Sequence, residues 1–239
     1  MKKMVIASTS TLHGGAYLDY LLPRLSSHFE GVKTLVFLPF ARPGGISHDA
    51  YTAKVQGAFA KIGIEVVGLH TFANPKQAVL EAEALFTGGG NTFQLVSQLY
   101  ALNLWGSLRE ALEKGTPYLG CSAGSNITGI SMQTTNDMPI VYPPSFETLG
   151  AIPFNLNPHY LDPDPSGTHM GETRETRIQE FHAYNSIPVL GLREGSWLEV
   201  EGDCIRLMGP LTARWFVAQE APVELESGTT WPRKDASKT

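Results

Sequence analysis

The chain has 239 residues, 42% of them hydrophobic, enough for one substantial core and of a length that a single α/β domain often fills. Its 18 Lys and Arg stand against 23 Asp and Glu, a formal net charge of −5 with no basic block. That balance argues against nucleic acid and favours a small-molecule partner.

The N-terminus, Met1 to Ser8, has too few apolar residues for a signal-peptide core, and no run is long enough to span a bilayer. Two cysteines, Cys121 and Cys204, make neither a zinc pattern nor a disulfide framework. The expectation is a cytoplasmic protein that does not engage membranes and has no metal site.

Short apolar segments rich in strand formers recur at Met4–Ala7, Lys33–Leu38, Ile64–Val67, Ala84–Thr87 and Tyr118–Gly120. Between them Ser47 can cap a helix whose Tyr51, Val55, Phe59 and Ile62 share one face, with Gly63 placed to end it. Asn74-Pro75 opens another helix, and a third runs from about Leu104 to Lys114 before Gly115. This alternation predicts an α/β fold, doubly wound, with a mostly parallel sheet flanked by helices.

After Gly129 the texture changes to shorter segments with many prolines, among them Pro139, Pro143, Pro144, Pro153, Pro158, Pro163 and Pro165. These read as long functional loops, candidate lids over a substrate. A helix resumes near Thr173–Tyr184, a strand follows at Val189–Leu192, and Trp197–Val200 with Cys204–Met208 form a C-terminal β-hairpin around Glu201-Gly202-Asp203. The expected organisation is one α/β domain over 1–231 and a flexible tail over 232–239.

Gly120-Cys121-Ser122-Ala123-Gly124 matches G-x-S-x-G, a pattern that chance alone produces in roughly one chain in ten of this length. Its setting adds weight: a strand precedes it and a helix can start at Ala123, the strand-to-helix elbow that exposes a nucleophile. The alternative is a Gly-rich turn that merely packs helix on sheet. A second such turn, Gly88-Gly89-Gly90-Asn91-Thr92, follows the strand at Ala84–Thr87 and falls on the same sheet edge. Its N–H groups can complete an oxyanion hole with that of Ala123. No Lys-Ser or Lys-Thr follows, which counts against a Walker-type nucleotide site.

A serine nucleophile needs a base and an orienting acid. Of seven histidines, His159 ends a strand-like run in the proline-rich half. Asp137 and Glu194 are both plausible orienting carboxylates, and spacing does not choose between them. Arg174 opens a helix, where a cation is mildly unfavourable, so it is a candidate for bidentate binding of a substrate carboxylate.

Taken together, Ser8-Thr9-Ser10-Thr11-Leu12, Gly88-Gly89-Gly90-Asn91-Thr92-Phe93, Gly120-Cys121-Ser122-Ala123-Gly124, Thr135-Asn136-Asp137-Met138-Pro139, Asn157-Pro158-His159 and Gly171-Glu172-Thr173-Arg174 resemble the α-aspartyl dipeptidases of the peptidase E type, peptidase family S51. The likeness spans roughly residues 5–217. It implies a fold similar to class I glutamine amidotransferases and hydrolysis of dipeptides with N-terminal aspartate, without a cofactor. It further implies Ser122 as nucleophile, His159 as base, and Asp137 or Glu194 as the third member. Gly90 and Ala123 become the oxyanion donors, while Arg174, with Asn91 beside it, binds substrate.

Three other readings compete: a cyanophycinase-like aspartyl peptidase, an esterase of related site, and a non-enzymatic small-ligand module. Too few residues separate Ser122 from Asp137 for the elements an α/β-hydrolase puts there. The chain is expected to be a monomer or a homodimer.

Overall fold

A computed structural model describes residues 1–163 and 171–232. The chain begins β1 (Lys3–Ala7), α1 (Leu22–His28), β2 (Thr34–Leu38), α2 (His48–Phe59), β3 (Glu65–Gly68), α3 (Pro75–Glu81) and β4 (Leu85–Thr87). It continues α4 (Thr92–Ala101), α5 (Trp105–Lys114), β5 (Tyr118–Cys121), the one-turn α6 (Ala123–Asn126), β6 (Asn155–Pro158) and α7 (Arg174–His182). Six strands then run to the end: β7 (Val189–Leu192), β8 (Trp197–Glu201), β9 (Cys204–Met208), β10 (Ala213–Phe216), β11 (Val223–Leu225) and β12 (Thr230–Trp231).

Eight strands form one sheet in the order β12-β9-β8-β1-β5-β4-β2-β3. The five from β1 to β3 are mutually parallel and the hairpin β8–β9 joins β1 antiparallel. Alternation along each strand supplies both faces. Met4 and Ile6 of β1, with Val36 and Leu38 of β2, pack against α3, α4 and α5. Val5 and Ala7, with Leu35 and Phe37, pack against α1 and α2. Strands buried on both faces and covered by helices are what a parallel sheet requires.

The caps follow the sequence. Ser47 and Asn74 accept hydrogen bonds from the N–H groups of Ala50 and Gln77, and Gly63 and Gly115 close their helices with left-handed backbone. The hairpin closes through Gly202-Asp203, with Glu201 opposite Cys204 and Gly202 at φ 61°.

The second sheet, β11-β10-β7-β6, goes beyond the sequence reading, which had a strand-like run at Pro153–Asn157, where β6 lies, and a strand at Val189–Leu192, but neither their pairing nor β10 and β11. Its key pair is β6 beside β7, parallel, with Pro158 opposite Leu192. Residues 127–154 form the expected long connection, but its inner part is pinned. Arg109 donates to the carbonyls of Thr148 and Leu149, and the Thr148 hydroxyl donates to that of Gly129. Pro165 and positions 233–239 of the expected tail lie outside the described residues.

Candidate active site

The carboxyl ends of β1, β4 and β5 lie side by side and carry Ser8, Gly88–Gly90 and Ser122, the edge of an open α/β sheet where ligands bind. Ser122 has φ 55° and ψ −112°, a sparsely populated conformation that costs about 1–3 kcal/mol and persists only where the surroundings enforce it. They do so here. A Cβ on Gly124 would collide with the Thr87 carbonyl, and the Ser122 carbonyl is locked by the N–H groups of Ser125 and Asn126. The G-x-S-x-G turn is therefore a strained elbow, half-exposing its central serine, rather than a loose packing turn.

β6 and β7 deliver the partners. His159 follows β6 and Glu194 lies two residues beyond β7, so the parallel pairing brings them together. His159 Nε2 is 2.9 Å from the Ser122 Oγ, and His159 Nδ1 is 2.6 Å from the Glu194 Oε1. With the ring neutral, Nδ1–H donates to the carboxylate and the Nε2 lone pair accepts the serine hydroxyl. His159 itself sits at φ 56°, and its N–H donates to the Ser8 hydroxyl (2.9 Å), which in turn donates to the Leu192 carbonyl (2.7 Å). Ser8 thus ties the end of β1 to both β6 and β7.

Behind Glu194, Arg193 makes paired hydrogen bonds to Asp162 and to Glu224 and reaches Thr212. These contacts hold the Asp162 carboxyl below its usual range and that of Glu224 down to about 2, so both remain charged, and through Arg193 they bind the segments after β6 and β7 to each other and to β11.

Asp137 is elsewhere. Its Oδ2 accepts from the N–H (2.7 Å) and hydroxyl (2.6 Å) of Thr92 and from the Thr135 hydroxyl (3.0 Å), and it makes no hydrogen bond to His159. A carboxylate at the first turn of α4 satisfies an otherwise orphan donor and complements the helix dipole. Of the two carboxylates the sequence left open, Glu194 is the one on the histidine.

Asn91, expected to bind substrate, has both polar atoms engaged. Its Oδ1 accepts from Gln94 N–H as the cap of α4, and its Nδ2 donates to the Met138 carbonyl. It joins the loop at Asp137 to α4.

The backbone N–H groups of Gly90 and Ala123 have no protein acceptor among the described residues. Gly89 approaches Ser122 so closely that a Cβ there would lie 2.9 Å from the serine Cβ. Gly90 adopts φ 146°, where a side chain would run into the Ala41 carbonyl.

Arg174 is the first residue of α7, after the Thr173 cap, and its guanidinium makes no hydrogen bond or ion pair with a described residue. Burial and the neighbouring Arg177 lower its pKa, opposed by the charge of Asp137. One turn along α7, Arg177 lines a cavity of about 370 Å³ with Phe93, Met132, Phe146 and Phe181.

Among the described residues no three His, Cys, Asp or Glu side chains gather to hold a metal ion, and no helix is long and apolar enough to cross a membrane.

Comparison with known proteins decides the kinship: the model of Peptidase family S51 matches residues 4–208. The chain belongs to peptidase family S51. As a member it is a serine-type hydrolase. The Peptidase E of Streptomyces coelicolor is 51% identical over 226 residues, covering 95% of this chain and 92% of that relative. A probable alpha-aspartyl dipeptidase of Drosophila melanogaster is 47% identical, covering 94% and 93%.

A crystal structure of a peptidase from an acI-B1 Actinobacterium superposes with a TM-score of 0.72 at 17% identity, covering 96% of each chain. A putative Peptidase E protein from Listeria monocytogenes EGD-e gives 0.66 at 20% identity, covering 88% of this chain and all of that one. At such identities the two structures speak for the shared fold alone.

Two residues around the site escaped the sequence reading of roles. Ser8 stood in a matched motif without a function, and Thr92 counted only as the end of the Gly-rich turn. Their roles depend on contacts between elements far apart in the chain, which local pattern does not encode.

Proposed function

We propose that the chain is a dipeptidase that hydrolyses dipeptides with N-terminal aspartate, with Ser122 as nucleophile, His159 as base and Glu194 as the carboxylate that orients it. The observation that carries this reading is the continuous hydrogen-bonded series from Ser122 Oγ through His159 to Glu194, at 2.9 Å and 2.6 Å, in a chain 51% identical to a Peptidase E.

Ser122 Oγ attacks the scissile carbonyl carbon as its proton passes to His159 Nε2. The carbonyl oxygen becomes an oxyanion received by the N–H groups of Gly90 and Ala123, each such donor worth about 3–4 kcal/mol in the transition state. His159 returns the proton to the leaving amine, the C–N bond breaks, and an aspartyl ester remains on Ser122. Water then gives a proton to the same Nε2 and attacks the ester. The serine recovers its proton as aspartate leaves. Glu194 holds the ring in the tautomer that accepts from serine and stabilises the imidazolium formed in each half.

Arg174 selects the substrate. A half-buried guanidinium with no carboxylate paired to it among the described residues favours a planar carboxylate such as the aspartyl side chain. No cofactor takes part in this scheme. The two free thiols suit a reducing compartment and hence the cytoplasm.

The test is hydrolysis of Asp-Leu by the purified protein beside the Ser122→Ala variant. Release of leucine by the first and not the second is expected. Equal rates would refute the reading, and turnover of p-nitrophenyl acetate alone would favour an esterase.

A further inference from the structure

Tyr51 lies on α2, an element that contributes nothing else to the site. Its hydroxyl donates to the Gly89 carbonyl at 3.1 Å. That carbonyl and the Gly90 N–H belong to one trans amide, so they point in opposite directions. A group that grips the oxygen therefore fixes where the N–H is aimed, and accepting a hydrogen bond at the oxygen also makes the N–H a stronger donor.

The grip is rigid. Tyr51 is 3% exposed, its ring meets Phe37 edge to face at 4.9 Å, and the Arg42 guanidinium lies 5.7 Å from the ring centre. Burial raises the phenol pKa, so the hydroxyl remains a neutral donor across the working range. The loop leaves no slack: a Cβ on Gly88 would stand 2.6 Å from the Tyr51 oxygen, while Gly89 abuts Ser122. Asn91 N–H bonds to the Ala41 carbonyl at 2.7 Å, clamping the far end of the turn.

We infer that Tyr51 is a positioning residue of the oxyanion hole, setting and polarising the Gly89–Gly90 amide from behind so that its N–H receives the developing negative charge at Ser122. The inference rests on the proposed reading of Gly90 as an oxyanion donor and extends it to a residue that touches no substrate.

The test compares wild type with Tyr51→Phe, which keeps the ring and removes the hydroxyl. Removal of a whole oxyanion donor costs roughly 100- to 1000-fold in rate, and loss of its support should cost less, about 10- to 30-fold in kcat for Asp-Leu. KM and the Kd of aspartate should stay within about twofold, because ground-state contacts are untouched. A small fluorophosphonate reports on the same hole without any peptide substrate, and its rate of reaction at Ser122 should fall in parallel. Incorporating 3-fluorotyrosine at position 51 retains the hydroxyl as a better donor and should raise kcat above the wild-type value.

The inference is overturned if Tyr51→Phe changes kcat and phosphonylation less than twofold. It is equally overturned if aspartate binding weakens as much as turnover, which marks general loosening, or if the fluorotyrosine protein is no faster than wild type. Should Tyr51→Phe fail to fold, the fluorotyrosine comparison decides alone. If wild type reacts with the phosphonate but hydrolyses no aspartyl dipeptide, the proposed substrate is wrong while the phosphonylation rates still judge Tyr51.

Discussion

Glu194 reaches His159 because two parallel strands end side by side: its Oε1 stands 2.6 Å from Nδ1, at the exits of β6 and β7. Asp137, on the Thr92 hydroxyl and N–H, holds a loop to a helix instead. The two carboxylates therefore predict different losses. Glu194→Gln keeps the shape but offers the ring an amide that supports the wrong tautomer, and kcat should fall about 100- to 10,000-fold with KM little changed. Asp137→Asn should cost far less in kcat and about 1 kcal/mol or more in stability, because the orphan N–H of Thr92 loses a charged acceptor. Steady-state kinetics and urea unfolding of both variants check this, and a larger kcat loss in Asp137→Asn would reverse the assignment.

Arg174 separates recognition from chemistry. Arg174→Met should lower kcat/KM for Asp-Leu by about 100-fold, the worth of a charge-assisted pair, while leaving the slow turnover of Ala-Leu unchanged. Arg174→Lys should recover only part of the loss, since an ammonium does not reproduce the planar fork. Equal losses on both dipeptides would mean that Arg174 supports the fold rather than the substrate.

The parallel core of this fold was legible because its strands are buried on both faces and announce themselves as apolar runs, and because Ser47, Asn74, Gly63 and Gly115 punctuate the helices. The elbow at Ser122 was legible for the same local reason. The second sheet was legible only in part: β6 and β7 stood out as strand-like runs, but β10 and β11 are short, and Asn155 and Asn157 of β6 are held by Ser131, Thr134 and Asn136, far away in sequence. Pairings made through such distant partners are not encoded in a local pattern. The choice between Asp137 and Glu194 failed to emerge for that reason too, since it turns on the register of β6 against β7.

Cys121 adjoins the nucleophile in sequence but not in access. It is fully buried in the core and burial pushes its thiol well above the usual range, whereas Cys204 is exposed. Iodoacetamide at neutral pH should label Cys204 alone and leave dipeptidase activity intact. Mass mapping together with residual activity checks both halves, and labelling of Cys121 in active protein would contradict the packing of β5.

Acid should loosen the protein through His28. This histidine is 1% exposed, and its ring N–H donates to the Tyr118 carbonyl at 3.1 Å, on the strand that leads to Ser122. Burial first, then the charges of Arg24 and Lys3, bring its pKa down to about 4, against about 6.5 in the unfolded chain. A base whose pKa is depressed by folding is neutral in both states above pH 6.5, so its contribution is fully present there. As pH falls from 6.5 towards 4 the unfolded chain takes up a proton that the folded one refuses, and stability drops by about 3 kcal/mol in total. His28→Gln removes that proton while offering the Tyr118 carbonyl another N–H donor. It should be somewhat less stable than wild type at pH 7, yet lose distinctly less between pH 6.5 and 4.5. Urea unfolding at the two pH values measures the difference, and parallel pH profiles for the two proteins would show that His28 is protonated in the fold or exposed to water.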